Sequence, residues 1–470
     1  MKQIGPTTVS RTLRRTATVL AGATALGLSL TACVGGGGGG AASNDGASID
    51  TSAATGTVEY WLWDNNQKAA YQQCADDFSA ANPDVTVTIS QYSWDDYWTK
   101  LTNGFVAGTA PDVFTNHLSK YADFIANDQL VALDDVLEKD GVDVDQYQDG
   151  LADLWVGQDG ARYGLPKDWD TVAVFYNEAL ITDGGYTPEQ LAELEWNPED
   201  GGTYGEAIAH LTVDVNGVRG DEDGFDKDRV AVYGLGLDGG SGGGNGQTQW
   251  SMYAGSTGWT YTDENPWGSA YNYDDEKFQS TIGWMADLIE KGYMPSVAAV
   301  TGSDVAQTFG AGKYAMTTNG SWNINTFTSL TGVDVGIAPT PIGPDGERST
   351  MFNGLADSIW SGSENKDASA KWVEYLASAE CQDVIGAAGV VFPAIPSGTD
   401  AAKAAFADKG VDVTAFTQQV DDGTTFLFPI TDNAAKIAGI MTPAVDAVLE
   451  GQADPSSLTD ADEQVDALFD

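Results

Sequence analysis

Residues Tyr163–Asn177 read YGLPKDWDTVAVFYN. Gly164 and Pro166 punctuate an extended start, Asp168 and Asp170 flank the indole of Trp169, and a β-branched and aromatic run follows from Val172. This pattern predicts a crossing strand that delivers polar and aromatic groups together, with a body of chain on either side.

A chain of 470 residues is longer than one ordinary core organises, so two domains are expected. Apolar residues make up 42%, enough for packed interiors. The 14 Trp and 18 Tyr often stand beside Asp, Asn or Gly, a placement suited to wet aromatic surfaces. The formal charge is −47; residues 1–32 contribute +4, which leaves −51 for the rest and argues against nucleic acid or anionic lipid as partners.

Lys2, Arg11, Arg14 and Arg15 precede a diluted apolar run from Ala17 to Leu30, and Leu30-Thr-Ala-Cys33 follows. The run is too short to span a bilayer and reads as a signal segment, residues 1–32. Its end resembles the lipobox of bacterial lipoproteins, which implies cleavage before Cys33 and lipidation of that thiol. Residues 33–56, rich in Gly, Ser and Ala, are expected to form a flexible tether. Cys74 and Cys381 are left in a disulfide-permissive compartment, either bridged or as two separate buried thiols.

Along the mature chain, strand, helix and strand are expected over Val58–Leu62, Gln67–Ala81 and Val85–Ile89, which predicts a parallel sheet. A helix over Ser93–Val106 and a strand at Val113-Phe-Thr-Asn-His117 extend that first α/β lobe. Ligands of open α/β sheets lie beyond the carboxyl ends of the strands, where this order places Trp63-Asp64 and Asn116-His117. The second lobe is expected to hold strands at Val172–Tyr176, Val230–Leu235 and Lys313–Thr317 and a helix over Phe278–Lys291. Asn353–Ile359 and Gly389–Pro393 supply two further crossings, and three crossings make a hinge.

Several stretches in this order resemble one family: FSAANPDVTVTI, WDDYWTKLTNGFVAGTAPDVF, YGLPKDWDTVAVFYN, FGAGKYAMTTNGSW, PIGPDGERS and ASAKWVEYLASAECQ leading to GVVFPAIP. They are similar to the sugar-binding lipoproteins of bacterial ABC importers, the extracellular solute-binding proteins of the maltose-binding type. The resemblance implies an α/β, two-lobe periplasmic-binding-protein fold of type II with three interlobe crossings. The expected division is 57–166 with 354–392 for the first lobe and 167–353 with 393–470 for the second. It further implies a monomer that closes on a neutral oligosaccharide and docks on permease subunits, held by a lipid at Cys33 to the outer face of the bacterial cell membrane. No cofactor and no chemistry are implied.

Positions matching the family's cleft are Trp63, Asp64 and Asn65, then Asn116 and His117, then Asp168, Trp169 and Asp170, with Asn353 on the second crossing and Trp322 in the Asn-Gly-Ser-Trp turn. Indoles stack on the apolar faces of sugar rings, and carboxylates and amides fix hydroxyls. Trp94 and Trp267 are added as further stacking candidates, Trp250 and Trp259 are loop aromatics of the same kind, and Trp284 reads as core. Asp170 is expected to be a sharper contact than Asp168. Asn116-His117 stands where maltodextrin binders of this type often carry an aromatic, a departure from malto-oligosaccharide recognition. A secreted glycoside hydrolase is the alternative, since such chemistry needs only two carboxyl groups.

Other motifs carry less. The G-x-G-x-x-G at Gly234–Gly239 has no helix pattern after it, and the G-x-S-x-G at Gly239–Gly243 has no convincing His partner. The acidic runs from Asp214 and Asp221 miss the EF-hand spacing at positions 5 and 6, so no metal site is assigned, with an irregular calcium site left as the alternative there.

Overall fold

In the computed structural model the described residues are 49–239 and 245–470. The signal segment, Cys33, the tether up to residue 48 and residues 240–244 of the second Gly motif lie outside them. Two mixed sheets organise the chain. The larger contains β1 (Gly56–Leu62), β2 (Val85–Gln91), β3 (Val113–His117) and β4 (Leu165–Asp170). The smaller contains β5 (Val172–Asn177), β6 (Val213–Asp214), β7 (Val230–Gly236), β8 (Tyr314–Gly320) and β9 (Val335–Ala338). Three later strands, β10 (Thr350–Ile359), β11 (Phe392–Pro393) and β12 (Thr425–Leu427), join the larger sheet. Its order is β11-β4-β10-β3-β1-β2 with β12 beside the start of β10, and the smaller sheet runs β6-β7-β8-β5-β9.

The parallel pairing expected near the N-terminus is present: β1 runs parallel to β2 and to β3. Helices Lys68–Ala81 and Trp94–Ala107 make those crossovers. In the first, Ala70, Tyr71, Cys74 and Phe78 are buried on one face, as their helical spacing requires. Cys74 and Cys381 are joined in a disulfide that ties this helix to Ala379–Ala388.

The quoted stretch is two strands instead of one. β4 belongs to the larger sheet and β5 to the smaller, with Thr171 buried at the junction and its hydroxyl donating to the Phe416 carbonyl. At the start of β10 the Thr350 hydroxyl accepts from the Val172 N–H at 2.8 Å and donates to the Val172 carbonyl at 3.1 Å. A side chain thereby supplies both halves of a backbone-like pairing between the two passages.

Two sets of contacts bear on the expected division. From residue 49 onward the tether is packed: Ile49 and Ala54 are buried, and the Asp50 N–H donates to Asp367 at 2.8 Å. Helix Pro396–Asp408, expected in the second lobe, packs instead on helix Ala379–Ala388 and β11 of the larger sheet. Thr414–Asp422 follows against β5, where Phe416 meets Phe175.

Candidate functional site

A cavity of about 1230 Å³ is walled by groups from both sheets. From the larger sheet come Trp63, Asp64 and Asn65 after β1, His117 at the end of β3, and Asp168 and Asp170 on β4. Trp322 and Asn323 after β8, with Asp238 and Gln247 from the Gly-rich segment, come from the smaller. The volume exceeds the roughly 300–1,000 Å³ typical of a small-ligand pocket.

One wall is aromatic. Trp63 lies edge-on to Trp94 at 5.1 Å between centroids, and Trp94 lies edge-on to the His117 ring at 5.4 Å. Both indoles stay partly exposed, as stacking surfaces must. Trp322 stands on the other wall, also partly exposed, against Gly320.

The polar floor is set by strand register. Asp170 pairs with Asn353 and Asp168 with Leu355, and Pro166 pairs with Ala356, so Lys167 is an extra residue in β4. This bulge bends the strand and re-aims its side chains. Lys167 points its ammonium to the Tyr60 hydroxyl at 2.8 Å and over the Tyr71 ring at 3.3 Å from the centroid. Tyr60 in turn donates to Asp357 at 2.8 Å. The ammonium is fully buried, and desolvation pulls its pKa down against the attraction of Asp357, Asp168 and Asp64.

Asp170 is satisfied on both oxygens, by Gln247 Nε2 at 2.8 Å and Asn353 Nδ2 at 3.0 Å. Asp168 is not: its Oδ2 is buried without a protein partner, and so is Asn353 Oδ1. Burial first, then the nearby carboxylates Asp357 and Asp64, push Asp168 up to about 7 despite Lys167. Burial likewise drives Asp170 well above the usual range, with Asp168 adding to it. His117 is buried and held neutral, its pKa lowered to about 3 by desolvation and by Lys120. Its Nδ1 accepts from the Ser119 N–H at 3.0 Å.

The expected positions divide accordingly. Ten reach the cavity: Trp63, Asp64, Asn65, Trp94, His117, Asp168, Trp169, Asp170, Trp322 and Asn353. Trp169 borders it without offering its ring. Strand alternation turns the indole away from both flanking acids, to stack on Phe392 at 4.8 Å and donate to Thr399 at 3.1 Å, with only 2% exposed. Asn116 is buried inside the sheet, donating to Ser358 and accepting from the His117 N–H. Trp267 lies off the cavity, its ring 5.8 Å from Tyr121. Asp64 also serves locally, accepting from the Asn66 N–H and Gln67 Nε2 ahead of helix Lys68–Ala81. Trp284 is core as expected, Trp259 is buried off the cavity, and Trp250 borders it while mostly buried.

The bacterial extracellular solute-binding protein model matches residues 62–383. The chain belongs to that family. Its fold is shared by UspC of Mycobacterium tuberculosis, at 24% identity and TM-score 0.66 over 87% of this chain and 99% of that one. It is shared also by the ABC substrate-binding protein Lmo0181 of Listeria monocytogenes, solved with cycloalternan, at 18% and 0.74 over 88% and 99%. The GacH receptor of Streptomyces glaucescens, solved unliganded and with acarbose, matches at 22% and 0.68 over 88% and 97%. These neighbours have the two-lobe architecture, the family is one of extracellular solute-binding proteins, and Lmo0181 is itself an ABC substrate-binding protein.

Sequence reasoning missed Asp238, Gln247, Gln249, Asp304 and Asp446, all on the cavity. Gln247 and Gln249 left a signal, since amides beside Trp250 at the end of a Gly-rich run are wet-loop chemistry. Asp446 left none, because an acid on helix Ala434–Leu449 reads as a solvated face. Among the described residues no group of three or more His, Cys, Asp or Glu could hold a metal ion, and no helix is long and apolar enough to cross a membrane.

Proposed function

We propose that this family member captures a saccharide in the cavity between its sheets by lobe closure and delivers it to the permease of an ABC importer. The observation that carries the reading is that one cavity has indoles and hydrogen-bonding side chains on both walls. A ligand touching both sides favours the closed state by its differential affinity, and a permease can recognise that state. The solutes named for the solved neighbours, cycloalternan and acarbose, support the direction. Residues 1–32 are removed, Cys33 carries a lipid on the outer face of the cell membrane, and a tether leads to the body, which works as a monomer. The lobes are 57–170 with 354 to about 408, and 171–353 with the remainder.

No chemistry is performed on the ligand. Titration calorimetry against a saccharide panel, with products followed by chromatography, tests this: stoichiometric saturation with the sugar recovered intact is expected. Turnover would favour the glycoside hydrolase. Trp322→Ala and Asp170→Ala should each weaken binding at least tenfold without unfolding, and unchanged affinity in both would move the site elsewhere. Cys33→Ala should release the protein from the membrane fraction.

A further inference from the structure

The charge of the cavity narrows the ligand. Seven aspartates border it, Asp64, Asp95, Asp168, Asp170, Asp238, Asp304 and Asp446, and no Lys or Arg does so among the described residues. Residues 240–244, outside the described residues, are Gly and Ser in sequence. Of the lysines nearby, Lys167 is spent on Tyr60, Tyr71 and Asp357 behind the floor, and Lys120, which acts on His117, lies over the Trp98 ring off the cavity. An acidic lining alone would be only a solvated surface. Here two deeply buried acceptors, Asp168 Oδ2 and Asn353 Oδ1, have no protein donor, and they belong to residues that line the cavity while only 2% and 1% exposed. By register they are diagonal neighbours on one face of β4 and β10. A buried acceptor without a donor is costly, and Asp168, which burial keeps protonated up to about pH 7, ionises when a cation is brought beside it.

We infer that the preferred ligand is a saccharide bearing a protonated amine, whose ammonium sits on the floor between Asp168 and Asn353 while its rings lie against the Trp63–Trp94 and Trp322 walls. An ammonium brings up to three donors and no acceptor, the complement of that floor. It also offsets the crowding of Asp168, Asp170, Asp64 and Asp357 around a single lysine. A hydroxyl fills the same place with one donor and no charge. This inference rests on the cavity being the saccharide site, and it replaces the neutral oligosaccharide first expected.

Calorimetry with matched pairs tests it: glucosamine against glucose, galactosamine against galactose, and the β-1,4 trisaccharide of glucosamine against those of glucose and N-acetylglucosamine. The amine is expected to win at least one pair by tenfold or more. The amine preference should persist on adding salt, because a buried charge pair is screened far less than a surface one, and a preference that disappears in salt overturns the floor site. In Asp168→Asn, which keeps the shape, the preference should drop below threefold. Equal or tighter binding of the hydroxyl or acetamido sugar overturns the inference and leaves the saccharide reading standing; binding of none overturns both. The salt series uses the unaltered protein, so the question is decided even if the variant does not fold.

Discussion

The indole of Trp322 rests on Gly320 so closely that a Cβ at Gly320 would lie 1.9 Å from Cζ3 of the ring. Gly320 ends β8 and is buried, so the backbone there cannot easily give way. Its missing side chain is the seat on which a cavity-wall indole lies.

Gly320→Ala should therefore displace Trp322 while the strand survives. Losing one aromatic contact is worth about 0.5–1.5 kcal/mol, so ligand affinity is expected to fall by up to roughly tenfold. Calorimetry paired with the melting temperature checks this. A variant that binds normally would mean the indole does not touch ligand.

Lys167 is the sole ammonium in a buried set of Asp64, Asp168 and Asp357. Removing one partner of a buried charge set leaves the others uncompensated, at about 3–5 kcal/mol. Lys167→Met should cost stability of that order in urea unfolding, and adding Asp357→Asn should restore part of it. Additive losses in the double variant would show that the two groups are not coupled.

The Cys74–Cys381 bridge spans 307 positions in sequence and ties two helices of the larger-sheet body. Cross-links contribute about 2–4 kcal/mol, so Cys74→Ser with Cys381→Ser should lower the melting temperature measurably. Reductant should lower it in the parent chain and leave the double variant unmoved.

Stability should fall as pH rises from about 4 to about 7. In that window the folded chain keeps a proton on Asp168, raised to about 7 chiefly by burial, which the unfolded chain has released near 3.8. Glu374 and Asp462, also raised to about 7 by burial, act with the same sign. His117 opposes them, since its folded pKa of about 3 makes protonation favour the unfolded chain as pH drops below its usual 6.5. Asp170, also raised by burial, adds to these carboxyl groups, and together they outweigh the one imidazole and leave a net decline. In Asp168→Asn the decline should be shallower by up to about 1.4 kcal/mol per pH unit. Chemical denaturation at several pH values measures it, and identical slopes in the two proteins would place the titration elsewhere.

Strands β1, β2, β3 and β7 and helices Lys68–Ala81, Trp94–Ala107 and Glu276–Glu290 were legible because period and punctuation are local properties. Part of the candidate site was legible for a related reason. Trp63, Asp64 and His117 stand at carboxyl ends of strands, where chain order already places a cleft. Asp238 and Asp446 come from distant segments with no pattern of their own, and only folding brings them to the cavity.

The quoted stretch marks the same division. Its residue types established that an acid-aromatic-acid triplet would arrive where two bodies of chain meet, because alternation and β-propensity are written in neighbouring residues. Tertiary pairing decided which of them face the ligand. One extra residue at Lys167 shifts the register of β4 against β10, and a strand presents successive side chains to opposite faces. Asp168 is consequently left with an open oxygen, Asp170 is taken up by Asn353 and Gln247, and Trp169 is turned into the core.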